Sequence, residues 1–300
     1  MTSRLATTIS GPMRLPFLIL TPACVVLGAA AALWSGSKVN LSHLLLVFVG
    51  AVSAHISVNS LNEYHDFRSG LDFRTERTPF SGGSGTLPAW PEKAGVALSI
   101  ALVSLGAVIS IGIYFLYIRG FWLLPLGITG VMTIIAYTRW ITSRPFLCLI
   151  APGLGFGILM VMGTNFVLTG SYSWTSFVAS LVPFFLVNDL LLLNQFPDVE
   201  ADRAVGRRHL PIVIGQKAST RVYGLFLVGA YGSIIVGYFC KVLPLTGLVA
   251  LASIALAVPT LRGIIRHAGE TPKLIPYMGR NVIITVLTPV LLAIGLFTAR

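Results

Sequence analysis

The chain has 300 residues, and its composition excludes a soluble globular protein: 55% of the residues are apolar and 10% are Asp, Glu, Lys or Arg. Soluble domains carry about 25% charged residues. The net charge of +11 does not indicate a nucleic-acid partner, because an excess of Lys and Arg in a membrane protein marks the loops that face the cytoplasm. We therefore expect an integral membrane protein that lies in the lipid bilayer and binds no nucleic acid.

Nine apolar segments are long enough to cross a bilayer, whose hydrocarbon core of about 30 Å requires about 20 apolar residues per helix. They cover residues 15–34, 41–62, 95–118, 121–138, 146–169, 174–195, 221–240, 244–262 and 281–298. The first is too long for a signal-peptide core and has no convincing cleavage site, so we count it as a span. The pattern predicts an all-α integral membrane fold with nine transmembrane helices in one bundle, and a single domain over residues 1–300. In the fifth span, Pro152, Gly153, Gly155 and Gly157 indicate close packing or a kink.

The basic residues assign the two sides of the membrane. Seventeen of the 21 Lys and Arg residues lie at the N-terminus or near the loops after the second, fourth, sixth and eighth spans. The opposite side holds Lys38, Arg119, Lys241 and Arg300. The positive-inside rule therefore predicts a multi-pass protein of the cytoplasmic membrane, with its N-terminus and these loops in the cytoplasm.

Nine of the ten acidic residues lie on this same side, in loops that contain two similar motifs. Asn62-Glu-Tyr-His-Asp66 follows the second span, and Asn194-Gln-Phe-Pro-Asp198 follows the sixth. Four spans separate the motifs, so both face the same side of the membrane. This arrangement predicts a parallel internal repeat, at about 15–138 and 146–262, followed by a ninth helix at 281–298.

If the spans continue as helices into these loops, each motif forms a ladder of oxygen ligands on one helix face. The first ladder consists of His55, Asn59, Asn62 and Asp66, and the second of Asn194, Asp198 and Asp202. Asn carbonyls and carboxylates suit Mg²⁺, which binds proteins through one or two carboxylates together with substrate phosphates. Two facing ladders predict two Mg²⁺ ions with a phosphate group between them.

Basic residues follow both ladders and are expected to bind the remaining phosphate oxygens. They are Arg68, Arg74 and Arg77 after the first ladder, and Arg203, Arg207, Arg208 and Lys217 after the second. The glycine-rich segment 81–85 could supply backbone N–H groups as an anion nest, although a flexible turn explains it equally well. A metal-phosphate site at the mouth of apolar helices predicts a substrate with a charged head and an apolar tail, such as a polyprenyl diphosphate.

Asp189 lies inside a span, where an acid is costly and therefore a functional candidate. Its helical phase is roughly opposite that of Asp198, so we expect it to line the cavity or bind a second substrate rather than join the metal ladder. A structural hydrogen bond to another helix is the alternative. His55 and His65 are interpreted as structural histidines.

Both motifs resemble those of the UbiA superfamily of intramembrane prenyltransferases, and the resemblance covers most of the chain. The first motif reads Asn59-x-x-Asn62-Glu-Tyr-His-Asp66-Phe-x-x-Gly70-Leu-Asp72, and the second reads Asn194-x-x-x-Asp198-x-x-x-Asp202 followed by a basic cluster. The first motif and the stretch 78–88 are most similar to the branch that prenylates dihydroxynaphthoate on the way to menaquinone. Two residues depart from the pattern: Glu63 replaces a common Asp, and Phe156 replaces the acid of a Gly-Leu-Gly-Glu sequence.

The resemblance implies Mg²⁺-dependent transfer of a polyprenyl chain from its diphosphate to an aromatic acceptor, 1,4-dihydroxy-2-naphthoate above all, which would lose CO₂. It implies one Mg²⁺ held by Asn62, Asp66 and Asp72 and a second held by Asn194, Asp198 and Asp202. It also implies diphosphate contacts from Asn59, Arg68, Arg77, Arg207 and Lys217. Asp66 and Asp198 would be catalytic through the metals, and Asp189 would orient the acceptor or accept its proton.

Other functions remain open on sequence grounds. Within the superfamily, the acceptor could be hydroxybenzoate, homogentisate, or a lipid or sugar phosphate, or the prenyl cation could cyclise. A secondary transporter also places paired Asn and Asp residues at a repeat interface, but near the bilayer midplane rather than at helix ends. A purely structural membrane protein leaves the paired motifs unexplained. The prenyl chain length and the oligomeric state are not predicted.

Overall fold

The computed structural model of the chain describes residues 2–299, with side chains from residue 8 onward, and every regular element in this range is helical. The α-helices are α1 (Thr2–Met13), α2 (Leu20–Trp34), α3 (Leu41–Ser69), α4 (Thr86–Ala89), α5 (Ala94–Arg119), α6 (Leu124–Ala136), α7 (Pro145–Gly153), α8 (Gly163–Thr169), α9 (Trp174–Asn194), α10 (Val199–Ala204), α11 (Leu210–Ile214), α12 (Gln216–Phe239), α13 (Ile254–His267) and α14 (Thr271–Thr298). The longer non-α segments are two 3₁₀ helices, Leu15–Ile19 and Leu245–Ser253, and a π-helix, Leu154–Met162.

Eight helical segments within residues 2–299 are long and apolar enough to cross a membrane, and they correspond to eight of the nine predicted spans. They are Leu15–Trp34, Leu41–Ser69, Pro91–Arg119, Pro145–Thr169, Trp174–Asn194, Gln216–Phe239, Leu245–His267 and Thr271–Thr298. The predicted span at 121–138 corresponds to a shorter apolar helix, Phe121–Ala136. The last helix begins at Thr271 rather than at residue 281, because its first turns carry polar residues that an apolar window omits.

The fifth predicted span is helical throughout but changes geometry after Pro152. The α7 helix gives way to the π-helix, which continues directly into α8. A Cβ atom at Gly157 would lie 2.5 Å from the backbone nitrogen of Phe184 and 2.7 Å from the carbonyl oxygen of Ser180 in α9. The sequence predicted close packing or a kink here; the close packing is confirmed at Gly157, and the structure adds a change of helix type after Pro152.

The largest apolar core lies among α2, α9, α12, α14 and the segments that pack on them. In contrast, α3 and α5 form a closely packed pair, and α6 makes few contacts with any neighbour. The helices α3, α5 and α6 therefore stand apart from α7 and α9 over much of their length, and a cavity fills the space between them.

The N-terminal helix α1 packs on α3, α4 and α5 at the end of the bundle where α3 carries the first motif. The Asn59 side-chain amide donates to the Met13 carbonyl (3.0 Å), and the Ser60 hydroxyl donates to the Pro12 carbonyl (3.3 Å). Arg14 then adopts a left-handed conformation (φ 51°) that turns the chain into the next helix. This turn brings Arg14 to the cavity wall.

Candidate active site

A cavity of about 730 Å³ lies between α3, α5 and α6 on one side and the α7–α9 region on the other. Its polar end contains both motifs. The polar lining includes Arg14, Asn59, Asn62, Asp66, Asp72, Thr75, Ser81, Asn194, Gln195, Asp198, Asp202, Arg207 and His209. The rest of its wall is mainly apolar and includes Val108, Ile113, Leu126, Met132, Leu159 and Met160. All six residues predicted as metal ligands line this one cavity.

The first ladder is confirmed as a continuous helix face. The α3 helix runs unbroken to Ser69, and His55, Asn59, Asn62 and Asp66 all line the cavity. Gly70, with φ 78°, ends the helix, and a 3₁₀ turn then places Asp72 beside the same space. The amide group of Asn62 donates to the Thr138 hydroxyl (3.3 Å), which leaves the carbonyl oxygen as a potential ligand.

The second ladder is not one helix, and this expectation was wrong. The α9 helix ends at Asn194, and α10 starts only at Val199. Pro197 explains the break, because a proline disfavours α conformation in the residue before it and has no N–H for the helix ladder. The turn nevertheless returns Asp198 and Asp202 to the cavity wall, where Asn194 also lies.

Arg207 joins the two motifs. Its guanidinium donates to Asp66 of the first motif and to Asp202 of the second, the latter at 2.9 Å. His209 Nε2 lies 2.9 Å from the other Asp202 oxygen. Burial lowers the pKa of Arg207, but the carboxylates of Asp66 and Asp202 outweigh it and raise the pKa above its usual value. The arginine therefore stays charged and neutralises part of the acidic cluster.

Two carboxylates of the cluster bind protons unusually tightly. Burial, reinforced by the nearby Glu63 and Asp66, raises the pKa of Asp72 to about 7. Burial and the neighbouring Asp202 raise the pKa of Asp198 to about 7, against a lowering effect of hydrogen bonds from the Ser81 hydroxyl and the Gly82 backbone. At both groups the positive charge of the protein does not offset the effect of burial, so a bound cation would stabilise the ionised form of each.

The donor set fits a divalent cation. Within the described residues, three buried oxygen atoms of the cavity wall have no hydrogen-bond partner: Asp72 Oδ2, Asn194 Oδ1 and Asp198 Oδ1. Residues 2–299 contain no group of three His, Cys, Asp or Glu side chains close enough to hold one ion. Mg²⁺ does not need such a group, since it usually binds through one or two carboxylates together with waters and substrate phosphates.

The predicted phosphate-binding residues separate into two groups. Arg207 and Asn59 line the cavity. Arg68, Arg77 and Lys217 are exposed and lie outside its lining. A basic residue that the sequence analysis used only to assign topology, Arg14, lines the cavity instead.

Asp189 lies away from the cavity, contrary to the expectation that it lines it. Its carboxylate is fully buried in α9, within electrostatic range of Tyr223 and Tyr231 of α12. The neighbouring Leu190 and Leu191 face the cavity, and Asp189 is rotated from them by about 100° and 200° around the helix. Its predicted role toward an acceptor therefore has no support from the geometry.

The sequence analysis assigned no role in the site to four residues of this region: Arg14, Glu63, Thr138 and His209. Arg14 directly precedes the first span, and His209 follows the basic cluster, so their positions were visible in the sequence. Their contacts were not, because each depends on a residue from a different segment or on the turn that places it.

Comparisons with known proteins identify the family of the chain. The model of the UbiA prenyltransferase family matches residues 21–297. The chain is 29% identical to 1,4-dihydroxy-2-naphthoate octaprenyltransferase of Bacillus subtilis over 210 residues, which are 69% of this chain and 66% of that protein. It is 24% identical to the Escherichia coli enzyme of the same name, over 96% of this chain and 94% of that one.

Solved structures share the fold. A structure described as digeranylgeranylglyceryl phosphate synthase superposes with a TM-score of 0.69 at 15% identity, over 99% of both chains. A UbiA homologue from Archaeoglobus fulgidus, bound to DMAPP and Mg²⁺, gives a TM-score of 0.56 at 13% identity, over 95% of this chain and 99% of that one. The chain is thus a multi-pass membrane enzyme that belongs to the UbiA prenyltransferase family.

Proposed function

We propose that the protein transfers a polyprenyl chain from its diphosphate to an aromatic acceptor, and that this acceptor is 1,4-dihydroxy-2-naphthoate in menaquinone biosynthesis. One observation carries the reaction class: both acidic motifs and Arg207 meet at the polar end of a long apolar cavity. A diphosphate fits the polar end, and an isoprenoid chain fits the apolar remainder. The names of the bacterial relatives support the choice of acceptor.

Two Mg²⁺ ions are proposed at the polar end, one at Asn62, Asp66 and Asp72 and one at Asn194, Asp198 and Asp202. When bound, the metals supply positive charge that stabilises the leaving diphosphate. The protein adds Arg207, whose guanidinium can turn from Asp66 and Asp202 toward phosphate oxygens once cations neutralise these acids. Arg14 and Asn59 extend the diphosphate contacts along the cavity wall.

The apolar wall determines what happens to the prenyl group. As the C–O bond breaks, both electrons leave with the diphosphate, and the allylic carbon becomes cationic. Val108, Leu126 and Leu159 are among the residues that surround this space and keep water from it. A ring carbon of the acceptor then forms the new C–C bond, and the ring releases a proton, or CO₂ where it carries a carboxylate at that carbon.

We place the acceptor ring one to two helical turns deeper in the cavity than Asn62. At this depth it would lie beside the prenyl carbon that is attached to the diphosphate. His55 and Phe156 line the cavity at this level, with ring centroids 4.6 Å apart, and His55 Nδ1 lies 2.9 Å from the Thr21 hydroxyl. This aromatic surface suits a flat acceptor. We place the motif-bearing end of the cavity on the cytoplasmic side, as the distribution of basic residues predicts.

The test is incubation of membranes that contain the protein with Mg²⁺ and a set of prenyl diphosphates, each with one acceptor. The acceptors are dihydroxynaphthoate, hydroxybenzoate, homogentisate and a glyceryl phosphate ether, the last because another relative is named for such a reaction. Product mass identifies the acceptor and the chain length. A prenylated, decarboxylated naphthalene product supports the proposal. Transfer only to another acceptor refutes the choice of dihydroxynaphthoate, and absence of metal-dependent pyrophosphate release with every substrate refutes the reaction class.

A further inference from the structure

Glu63 lies within the first acidic motif, at a position where the family resemblance leads one to expect a short acid. Its carboxylate is fully buried, and it is absent from the residues that line the cavity. Both oxygens already accept hydrogen bonds. The Ser84 backbone N–H and the Arg14 Nε–H donate to Oε1 (2.6 and 2.9 Å), and the Ser84 hydroxyl donates to Oε2 (2.9 Å). This carboxylate is therefore engaged with the protein.

The first segment that binds the Glu63 carboxylate is the glycine-rich loop 81–85. Gly83 and Gly85 have φ angles of 72° and 74°, which favour glycine, and they flank Ser84. A Cβ atom at Gly83 would lie 3.0 Å from Asp72 Oδ1 and 3.4 Å from Glu63 Oε1. The loop backbone thus lies directly against an acid of the proposed first metal site.

The same loop reaches the second motif. Ser81 and Gly82 line the same cavity as Asp198, and they lie close enough to its carboxyl to lower the pKa of that group. A segment of five residues therefore lies against Asp72 at one proposed metal site and near Asp198 at the other, and two hydrogen bonds from Ser84 attach it to Glu63.

The second partner of the Glu63 carboxylate is Arg14, which lines the cavity and whose backbone is in the left-handed conformation. Its ion pair with Glu63 is mostly buried, since the side chains are 24% and 0% exposed. Glu63 thus fixes a cavity-lining cation and the glycine-rich loop with one carboxylate. A shorter Asp at this position lacks one methylene of the reach that these contacts use.

We propose that Glu63 is a positioning residue, which holds Arg14 and the loop 81–85 in the arrangement that binds the metal-diphosphate head of the substrate. The inference rests on the proposed function and concerns the same site. Glu63 itself binds neither metal nor substrate. Its removal therefore weakens binding of the head group more than it slows the reaction of a fully loaded enzyme.

The experiment compares the wild-type protein with Glu63→Gln, Glu63→Asp, Ser84→Ala and the control Glu76→Gln, an exposed acid of the same connecting segment. Glu63→Gln should raise the Mg²⁺ concentration for half-maximal rate and the KM for prenyl diphosphate about tenfold, since hydrogen bonds to a charged group are lost. Glu63→Asp and Ser84→Ala should give smaller increases, and Glu76→Gln none. A lower maximal rate with unchanged half-saturation and KM would indicate a merely structural role and overturn the proposal.

Limited trypsin digestion gives a second measurement that does not depend on turnover. Cleavage after the exposed Arg74 and Arg77 should be faster in Glu63→Gln and Ser84→Ala than in wild type, because the adjoining loop loses its attachment. Digestion of Glu76→Gln should match wild type. Equal rates in all variants would overturn the proposed attachment even if the enzyme were active. If wild type instead transfers no prenyl group, the proposed function fails, whereas faster digestion of the two variants would still show the attachment.

Discussion

Replacement of Arg207 by methionine removes a side chain that donates hydrogen bonds to both acidic motifs, to Asp66 and to Asp202. The side chain of Arg207 is 17% exposed, that of Asp66 is 8% exposed and that of Asp202 is 4% exposed. Water therefore screens their charges poorly. Removal of one partner from such a buried cluster costs about 3–5 kcal/mol, because it leaves uncompensated carboxylates. We expect this loss in the free energy of unfolding of the metal-free protein at pH 8, with part of it recovered in Mg²⁺.

The measurement is equilibrium unfolding in mixed detergent micelles, with and without Mg²⁺. Arg203→Met is the matched control, since Arg203 lies in the same region and pairs at 2.9 Å with Glu200, but these side chains are 52% and 82% exposed. Exposed pairs contribute about 0–1 kcal/mol. An Arg207→Met protein that differs from wild type by no more than the Arg203→Met protein would refute the assignment of Arg207 as the buried counter-ion of both motifs.

Three further predictions concern the acids and the helix packing. Asp198→Asn should abolish prenyl transfer, measured as product in purified membranes, while membrane insertion stays normal, because the carboxamide lacks the charge that a cation requires. Since the pKa values of Asp72 and Asp198 are raised to about 7, the folded, metal-free protein binds more protons than the unfolded chain and loses stability as the pH rises from about 4 to about 7. Mg²⁺ reverses this loss, so the rise in melting temperature caused by Mg²⁺ should be larger at pH 8 than at pH 6. The Mg²⁺ concentration that gives half of this rise should be lower at pH 8 than at pH 6. Gly157→Ala should destabilise the protein by about 1–3 kcal/mol in detergent unfolding, because its Cβ would lie 2.5 Å from the Phe184 backbone.

Matched controls are available for two of these variants. Glu200→Gln changes an exposed acid of α10 outside the cavity and should leave transfer unchanged, so equal activity of Asp198→Asn and Glu200→Gln would contradict the metal role. Gly155→Ala introduces a methyl group into open space in the same π-helix, so a loss of stability equal to that of Gly157→Ala would contradict the packing argument. A melting-temperature shift by Mg²⁺ that is the same at pH 6 and pH 8 would contradict the raised pKa values.

The membrane class and the acidic motifs could be predicted from the sequence because both depend on local composition and periodicity. Eight of the nine predicted spans correspond to membrane-length helical segments, and the first ladder lies on one helix face, since α3 has no residue that interrupts it between Asn59 and Asp66. The family resemblance rests on the same short patterns, and the match to residues 21–297 confirms it.

The composition of the polar site was decided by tertiary structure. Arg207 contacts Asp66 across 141 positions of sequence, and Arg14 contacts Glu63 across 49, so no local pattern distinguishes them from the exposed Arg77 or Lys217. Which face of a helix packs against its neighbours likewise depends on segments that are distant in the sequence.

The sequence by itself therefore determined that this is a helical membrane protein with paired acidic motifs, because hydrophobic length and helical spacing are properties of single segments. Only the packing of α3, α9 and the connecting loops decided which charges face the cavity. It placed Asp189 in the core, and it turned Glu63 from the cavity toward Arg14 and Ser84. Charge and helical phase can be read along one segment, whereas the partner of each charge depends on how separate segments come together.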